Sequence, residues 1–477
     1  MLFCKFTLGG FQFVMMGHHT RSESLFYYFR LEDHVPADHL LRLIDKYVDF
    51  GFVRDRLKQH YSETGRPSID PELLLRILLI GYLYGITSER RLVEEVRMHL
   101  AYRWFTGLDF EKEVPHHSTF SKNRHGRFQE ASLFRELFET IVARCVEVGL
   151  VTGKHLSVDG TQVMANASVK SRVTREAFVE AAQVNRTACE YLEELSVQNP
   201  TTETPAVDAE ETRTESVMAM LPEKLSKTDP DVTWSGKNGP AVWAYYDNYL
   251  IDNESCIVIG VEATPARFSQ ETAAAKQMIT AAKTRFGLQP ESLGADKGYG
   301  SAEFVDWLWN QGVAPHIPLI DRRNQTKGAF TKDDFTYLPA ANAYRCPAGK
   351  LLHYAGLGRQ AQQHIYRSTP TQCASCPEKS KCTSGTVRKL GVSWFEAARD
   401  RARSLVDTPA FVHSRRARSK VEALFSELKQ RIGLTRLKLR RKQLVAEQFL
   451  LAASAQNLKR MVRFLKTAPP NPAVATA

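Results

Sequence analysis

Five residues stand out by type and spacing: Asp159, Asp296, Glu422, Arg418 and Lys429. Asp159 lies in the alternating run His155–Ser168, which reads as a strand followed by a turn. Asp296 ends a second strand pattern, just before the glycine-rich turn of GADKGYGS. Glu422 belongs to Arg415–Lys442, RRARSKVEALFSELKQRIGLTRLKLRRK. There Val421, Leu424, Phe425 and Leu428 recur at helical spacing, and Gly433 sits where a C-cap glycine would end the run. On such a helix Arg418, Glu422 and Lys429 fall within roughly a 60° sector, so one face carries an acid between two cations. Carboxylates suit magnesium, which takes oxygen ligands from a few acids and from substrate phosphates. Two such ions about 4 Å apart can activate a hydroxyl and stabilise the leaving oxygen of a phosphodiester.

Each acid alone is equally a cap or turn residue, a reading that Gly160 and Gly298 favour, and an acid between cations is equally a solvated ion-pair ladder. The surroundings decide. Arg415–Lys442 holds eleven Lys or Arg against only Glu422 and Glu427, a density that suits phosphates. Arg418, Lys429, Arg436, Lys438, Arg440 and Arg441 are the expected DNA contacts in this stretch. Glu427 lies about 140° around the helix from Glu422, and is expected to make only a surface ion pair with its basic neighbours.

The elements that must position these groups follow from the rest of the chain. Its 477 residues, net charge of +11 and 43% hydrophobic content allow two or three domains with real cores. The most apolar run, Leu73–Ile86, is too short to span a bilayer and carries Arg76, so no membrane association is expected. Residues 1–30 read as a flexible N-terminus, with translation expected to begin at Met15 or Met16. Residues 31–150 read as an all-α domain. In it Asp70-Pro71-Glu72 is a strong helix start, and Ser88 opens one helix through SERRLVEEVRMHLAYRWF. Arg124 lies in a basic loop of this domain and is a further candidate DNA contact.

Residues 151–320 read as strands and helices in alternation: the Asp159 strand, a helix at about 174–195, a mobile polar segment near 196–235, strands at Val242–Asp252 and Ser255–Thr264, a helix capped by Ser269, the Asp296 strand and Gly312–Ile320. Lys297 and Tyr299 follow Asp296 and are placed to contact phosphate or orient the acid. Asn166 is expected to hold the loop after the first strand. Residues 321–395 interrupt the pattern with Cys346, Cys373, Cys376 and Cys382, whose CxxC fits half of a tetrahedral zinc site. Clustered rather than dispersed cysteines favour a reducing, cytoplasmic setting. Residues 396–465 return to the basic helix and a final amphipathic helix, and 466–477 read as a disordered tail.

Taken together, the sequence resembles a DDE transposase of a bacterial insertion sequence. GRPSIDPELLLRILLIGYLYGITSERRLVEEV and VPHHSTFSKNR resemble that group's helical N-terminal domain. VDGTQVMANAS and GADKGYGS resemble its two aspartate motifs, and RSKVEALFSELKQRIG its third, with Arg, Glu and Lys spaced as Arg418, Glu422 and Lys429. A tyrosine is frequent three residues before that arginine; here Arg415 stands there. The resemblance implies a ribonuclease-H-like mixed sheet with flanking helices after the all-α domain. It also implies Asp159, Asp296 and Glu422 as the catalytic Mg²⁺ (or Mn²⁺) ligands. The chain would then cut element ends at terminal inverted repeats and join them to target DNA, as a homodimer, nucleoid-associated when bound. Two rival readings fit the same residues: a zinc-containing DNA-binding regulator without catalysis, and a ribonuclease-H-like nuclease that cuts without joining.

Overall fold

The computed structural model describes residues 29–467 apart from 62–67, 124–127, 129–131, 199–220, 237–239, 267–269, 320–328 and 360–361. Arg124, Ser269 and the C-terminal tail therefore lie outside the described residues.

The chain opens in helices. In α1 (Pro71–Tyr84) Asp70 accepts from the Glu72 N–H at 2.9 Å and Pro71 occupies the first turn, as the sequence implies. α1 is buried almost all round, because Leu74, Leu75, Ile77, Leu78, Leu79 and Ile80 cover every side of the helix. The single helix expected after Ser88 is two, α2 (Glu89–Met98) and α3 (Leu100–Thr106). His99 turns the chain with an extended backbone, and its ring stacks on Tyr102 at 4.0 Å. The buried Arg103 guanidinium pins that corner, donating to the carbonyls of Arg97 and Lys112 at 3.3 and 2.9 Å. α4 (Leu133–Glu147) completes the helical part.

The sheet follows. Its strands are β1 (His155–Met164), β2 (Thr233–Ser235), β3 (Val242–Asp252), β4 (Val258–Pro265), β5 (Ser292–Gly294) and β6 (Ala314–His316). β1 pairs antiparallel with β3, and β3 with both β2 and β4; β5 runs parallel to β1 and β6 parallel to β5. Four antiparallel strands continued by two parallel ones, with helices packed on them, make the expected ribonuclease-H-like mixed sheet. Between β1 and β3 the long helix is instead α5 (Arg175–Ala182) and α6 (Arg186–Gln198). Part of the segment expected to be mobile is ordered, since β2 pairs along the edge of β3.

α7 (Gln270–Phe286) and α8 (Ala302–Asn310) flank β5 in the chain. The cysteine-bearing insertion, read from sequence as short turns, is a five-stranded antiparallel sheet of its own. Its strands are β7 (Thr336–Leu338), β8 (Ala343–Arg345), β9 (Leu351–Gly358), β10 (Gln363–Arg367) and β11 (Lys389–Ser393), around Phe335, Tyr344, Leu352, Tyr366 and Leu390. The stretch expected as one basic helix is α9 (Pro409–Ala417) and α10 (Ser419–Gln430), with Arg418 at the joint. The basic residues after Gly433 lie outside any helix until α11 (Lys442–Thr467) begins.

α11 is the axis of the molecule rather than an amphipathic surface helix. Leu444 to Leu458 is buried nearly throughout, and α11 packs on β4, α4 and α1. Helical part and sheet consequently share one continuous apolar core. Among the described residues no single helix is long and apolar enough to cross a membrane.

Candidate active site

Parallel register brings the two aspartates together. β5 pairs Gly294 with Ser157 of β1. Two residues further along the chain in each case stand Asp159, in the middle of β1, and Asp296, just past the end of β5. Both side chains are oriented by backbone: the Gly160 N–H donates to Asp159 Oδ1 at 2.8 Å, and the Gly298 N–H to Asp296 Oδ1 at 2.8 Å. Gly160 has to be small here, because a Cβ would stand 2.8 Å from Asn248 Oδ1. Each aspartate is left with its Oδ2 to offer.

The third acid arrives on α10. Val421, Leu424, Phe425 and Leu428 are buried beneath it, with the Phe425 and Tyr249 rings 4.9 Å apart. That packing turns Glu422 outward over β1. Its side chain is 59% exposed, against 17% for Asp159. Arg418 links the two, with Nη1 3.0 Å from Asp159 Oδ2 and Nη2 3.2 Å from Glu422 Oε1.

The electrostatics are those of crowded acids. Burial pushes the Asp159 carboxyl up to about 6, and the neighbouring Asp296 and Glu422 charges add to that, while the Gly160 N–H and Arg418 pull it down. A carboxylate destabilised by burial and like charge is one that a cation would stabilise. This donor set of hard oxygens fits a divalent ion such as Mg²⁺. Among the described residues no group of three or more His, Cys, Asp or Glu is drawn together closely enough to hold an ion as it stands. Between Asp159 and Glu422 the intervening group is the Arg418 guanidinium.

Other expected contacts divide. Lys297 is exposed beside Asp296, whereas Tyr299 is buried with its hydroxyl lacking a hydrogen bond. Burial first, then the charges of Glu271, Asp159 and Asp296, hold that hydroxyl well above the usual range of a tyrosine. Lys429 turns inward. Its Nζ donates to Thr161 Oγ1 at 2.7 Å, and burial lowers its pKa against the opposing pull of Asp247. Asp247 is wholly buried opposite Thr161 on β3. Arg440 donates to Asn166 O at 2.9 Å, and Asn166 to Lys438 O at 2.6 Å, the loop-holding role expected of that asparagine. Arg441 is held by Asp231 at 3.0 Å and Glu194 at 2.6 Å. Arg436 and Lys438 remain exposed. Glu427 does not make the expected local surface pair; it reaches Arg460 of α11 at 2.7 Å.

The four clustered cysteines line one small cavity of about 20 Å³ in the insertion. The Lys350 N–H donates to Cys346 Sγ at 3.3 Å, and Ser368 Oγ lies 3.0 Å from Cys373 Sγ. Burial raises the Cys382 thiol, and the other three sulfurs add to that.

Sequence reasoning missed Glu271, Asp247 and the Glu427–Arg460 pair. Their local patterns are those of an ordinary first-turn acid, a strand residue and two distant helix residues.

The site thus sets one aspartate in the middle of β1, a second just past the end of the parallel β5, and a glutamate on a packed late helix, on a ribonuclease-H-like mixed sheet. The description "Transposase domain (DUF772)" matches residues 29–126, and "Transposase DDE domain" matches residues 345–462, which hold Glu422 and the four cysteines. Two separate transposase models thus match this chain, one over its helical N-terminal part and one around Glu422, and together they support a DNA transposase of the insertion-sequence DDE type. Comparison with curated proteins finds no match. Among solved structures, a cryo-EM synaptic complex of piggyBac transposase with hairpin DNA aligns over 91% of this chain and 82% of that one, at 9% identity and a TM-score of 0.32. At that distance the likeness carries no argument about the site.

Proposed function

We propose that the chain cuts the ends of its element and joins them to target DNA, using Asp159, Asp296 and Glu422 to hold Mg²⁺ or Mn²⁺. The observation that carries this reading is the approach of three acids, far apart in sequence, around the end of β5, where Asp296 and Glu422 both act on the Asp159 carboxyl. When bound, the divalent ions would activate water and then the freed 3′-hydroxyl, and would stabilise the leaving oxygen. The chain's own residues do the rest. The Gly160 and Gly298 N–H groups hold each aspartate in one orientation with one oxygen outward. α10 carries Glu422 to the same place, and Lys429 fixes α10 on β1 through Thr161. Arg436, Lys438 and Lys297 are exposed cations suited to the DNA backbone, joined by Arg440 at the edge of the same segment.

The partners are then DNA at terminal inverted repeats, target DNA, and a second copy of the chain in the complex. The setting is cytoplasmic, at the nucleoid. Cys346, Cys373, Cys376 and Cys382 are assigned to a structural zinc that ties the insertion together, supported by their shared cavity and by the Lys350 N–H aimed at one sulfur. Cleavage and joining of a DNA duplex carrying the element's ends test the reading. Alanine at any of the three acids is expected to abolish both steps.

A further inference from the structure

The Arg418 guanidinium spans two acids of the site: Nη1 lies 3.0 Å from Asp159 Oδ2 and Nη2 3.2 Å from Glu422 Oε1. Asp159 Oδ1 is already taken by the Gly160 N–H. Oδ2 is therefore the oxygen that Asp159 has to offer a metal, and Arg418 holds it. Among the described residues the guanidinium makes no other hydrogen bond or ion pair. Its side chain is 26% exposed, so the guanidinium keeps an edge toward solvent while the two acids hold it. Lys429, the other cation of the motif, is anchored inward on Thr161 and does not reach these acids.

We propose that Arg418 is the resident counter-cation of this site, competing with the divalent ion for Asp159 and Glu422 and passing to a DNA phosphate when the ion enters. The proposal rests on the assignment of the three acids given above. Physically it is an exchange of partners. Without an ion, two neighbouring carboxylates would repel, and the guanidinium neutralises them with two charge-assisted bonds. An incoming divalent ion takes over that neutralisation. The displaced guanidinium, standing at the mouth of the site on the joint of α9 and α10, then needs an anion. A phosphate is the anion whose geometry suits its fork. Metal uptake and DNA binding would be coupled through one side chain, each favouring the other to the same degree.

The test is Mn²⁺ binding by the full-length chain without DNA, read from the electron paramagnetic resonance of the free ion. Arg418→Gln is expected to bind Mn²⁺ about fivefold more tightly than the wild type, the factor a partly exposed ion pair is worth. Arg418→Met carries the same expectation should the Gln variant prove unstable, and Arg418→Lys, which keeps the charge, should bind nearly as the wild type. Adding duplex DNA should tighten Mn²⁺ binding by the wild type and by Arg418→Lys more than by the uncharged variants. Asp159→Asn reports on the acids themselves and is expected to lose binding. Unchanged or weaker Mn²⁺ binding by folded Arg418→Gln and Arg418→Met, with Asp159→Asn still deficient, overturns the role of Arg418 alone. Mn²⁺ bound by Asp159→Asn as tightly as by the wild type overturns the assignment of the acids.

Discussion

Asp159→Asn should make the metal-free protein more stable at neutral pH while removing its function. The folded carboxyl titrates at about 6, against about 4 in an unfolded chain. The folded state thus binds the proton more tightly, so the cost of ionising Asp159 is absent below about pH 4, grows between about 4 and 6, and is complete above. Two pH units correspond to at most about 3 kcal/mol. The pull of Arg418 and of the Gly160 N–H is already inside that value; the asparagine keeps the size of the side chain, and its amide turned toward the guanidinium brings the net gain to about 1–2 kcal/mol. Thermal melts of both proteins in EDTA from pH 4 to 8 measure it: the curves should coincide near pH 4 and separate in favour of the variant by pH 7. Mn²⁺ should then raise the melting point of the wild type and leave the variant unmoved. A variant less stable than the wild type at pH 7 in EDTA would refute the argument that crowding and burial strain this carboxylate.

The remaining expectations concern neighbouring parts of the site. Glu422→Gln should keep its stability, being mostly exposed, and lose cleavage; Glu427→Gln should cleave DNA but lose about 1 kcal/mol, because it breaks a partly buried interhelical pair with Arg460. Matched melts and cleavage assays separate the two. Metal analysis of protein purified without chelators, under reducing conditions, should find about one zinc per chain, bound by four thiolates; absence of zinc would leave the thiols as packing residues. Replacing Arg436 and Lys438 together should flatten the slope of log DNA affinity against log salt by nearly two units if both contact phosphate. Replacing Arg441 should chiefly cost stability, since Asp231 and Glu194 already hold it.

Much of this site could be read from residue order because its parts are local. The Asp70 cap, the β1 strand, the glycines after each aspartate and the buried stripe of α10 all follow from periodicity and turn chemistry over a few residues. What lay beyond reach was long-range. The adjacency of Asp159 and Asp296 depends on the β1–β5 register, which no spacing announces. Lys429 looked like a surface cation because Asp247, its buried counterpart, is some 180 positions away on a strand with no sign of a buried acid. Glu427 was paired with its helix neighbours because Arg460 comes from another helix. The final helix carries enough polar residues to read as amphipathic, yet Glu447, Gln448, Gln456 and Asn457 are buried with it. Gln448 accepts from the Lys438 N–H, Gln456 donates to Leu424 O and Asn457 pairs with Val258. The break at His99 falls between two helix-favouring runs and is imposed by Arg103 turning the corner.

The central claim is that three acids assembled by this fold cut DNA and transfer the strand. The direct measurement incubates purified protein with a labelled duplex containing the element's own end and a supercoiled target, in Mg²⁺ or in EDTA. Nicking at the end followed by covalent joining to the target is expected in Mg²⁺, and neither in EDTA or with Asp159→Ala, Asp296→Ala or Glu422→Ala. Those three variants should still bind the end. Undiminished cleavage and joining by any one of them, or activity that persists in EDTA, would contradict it.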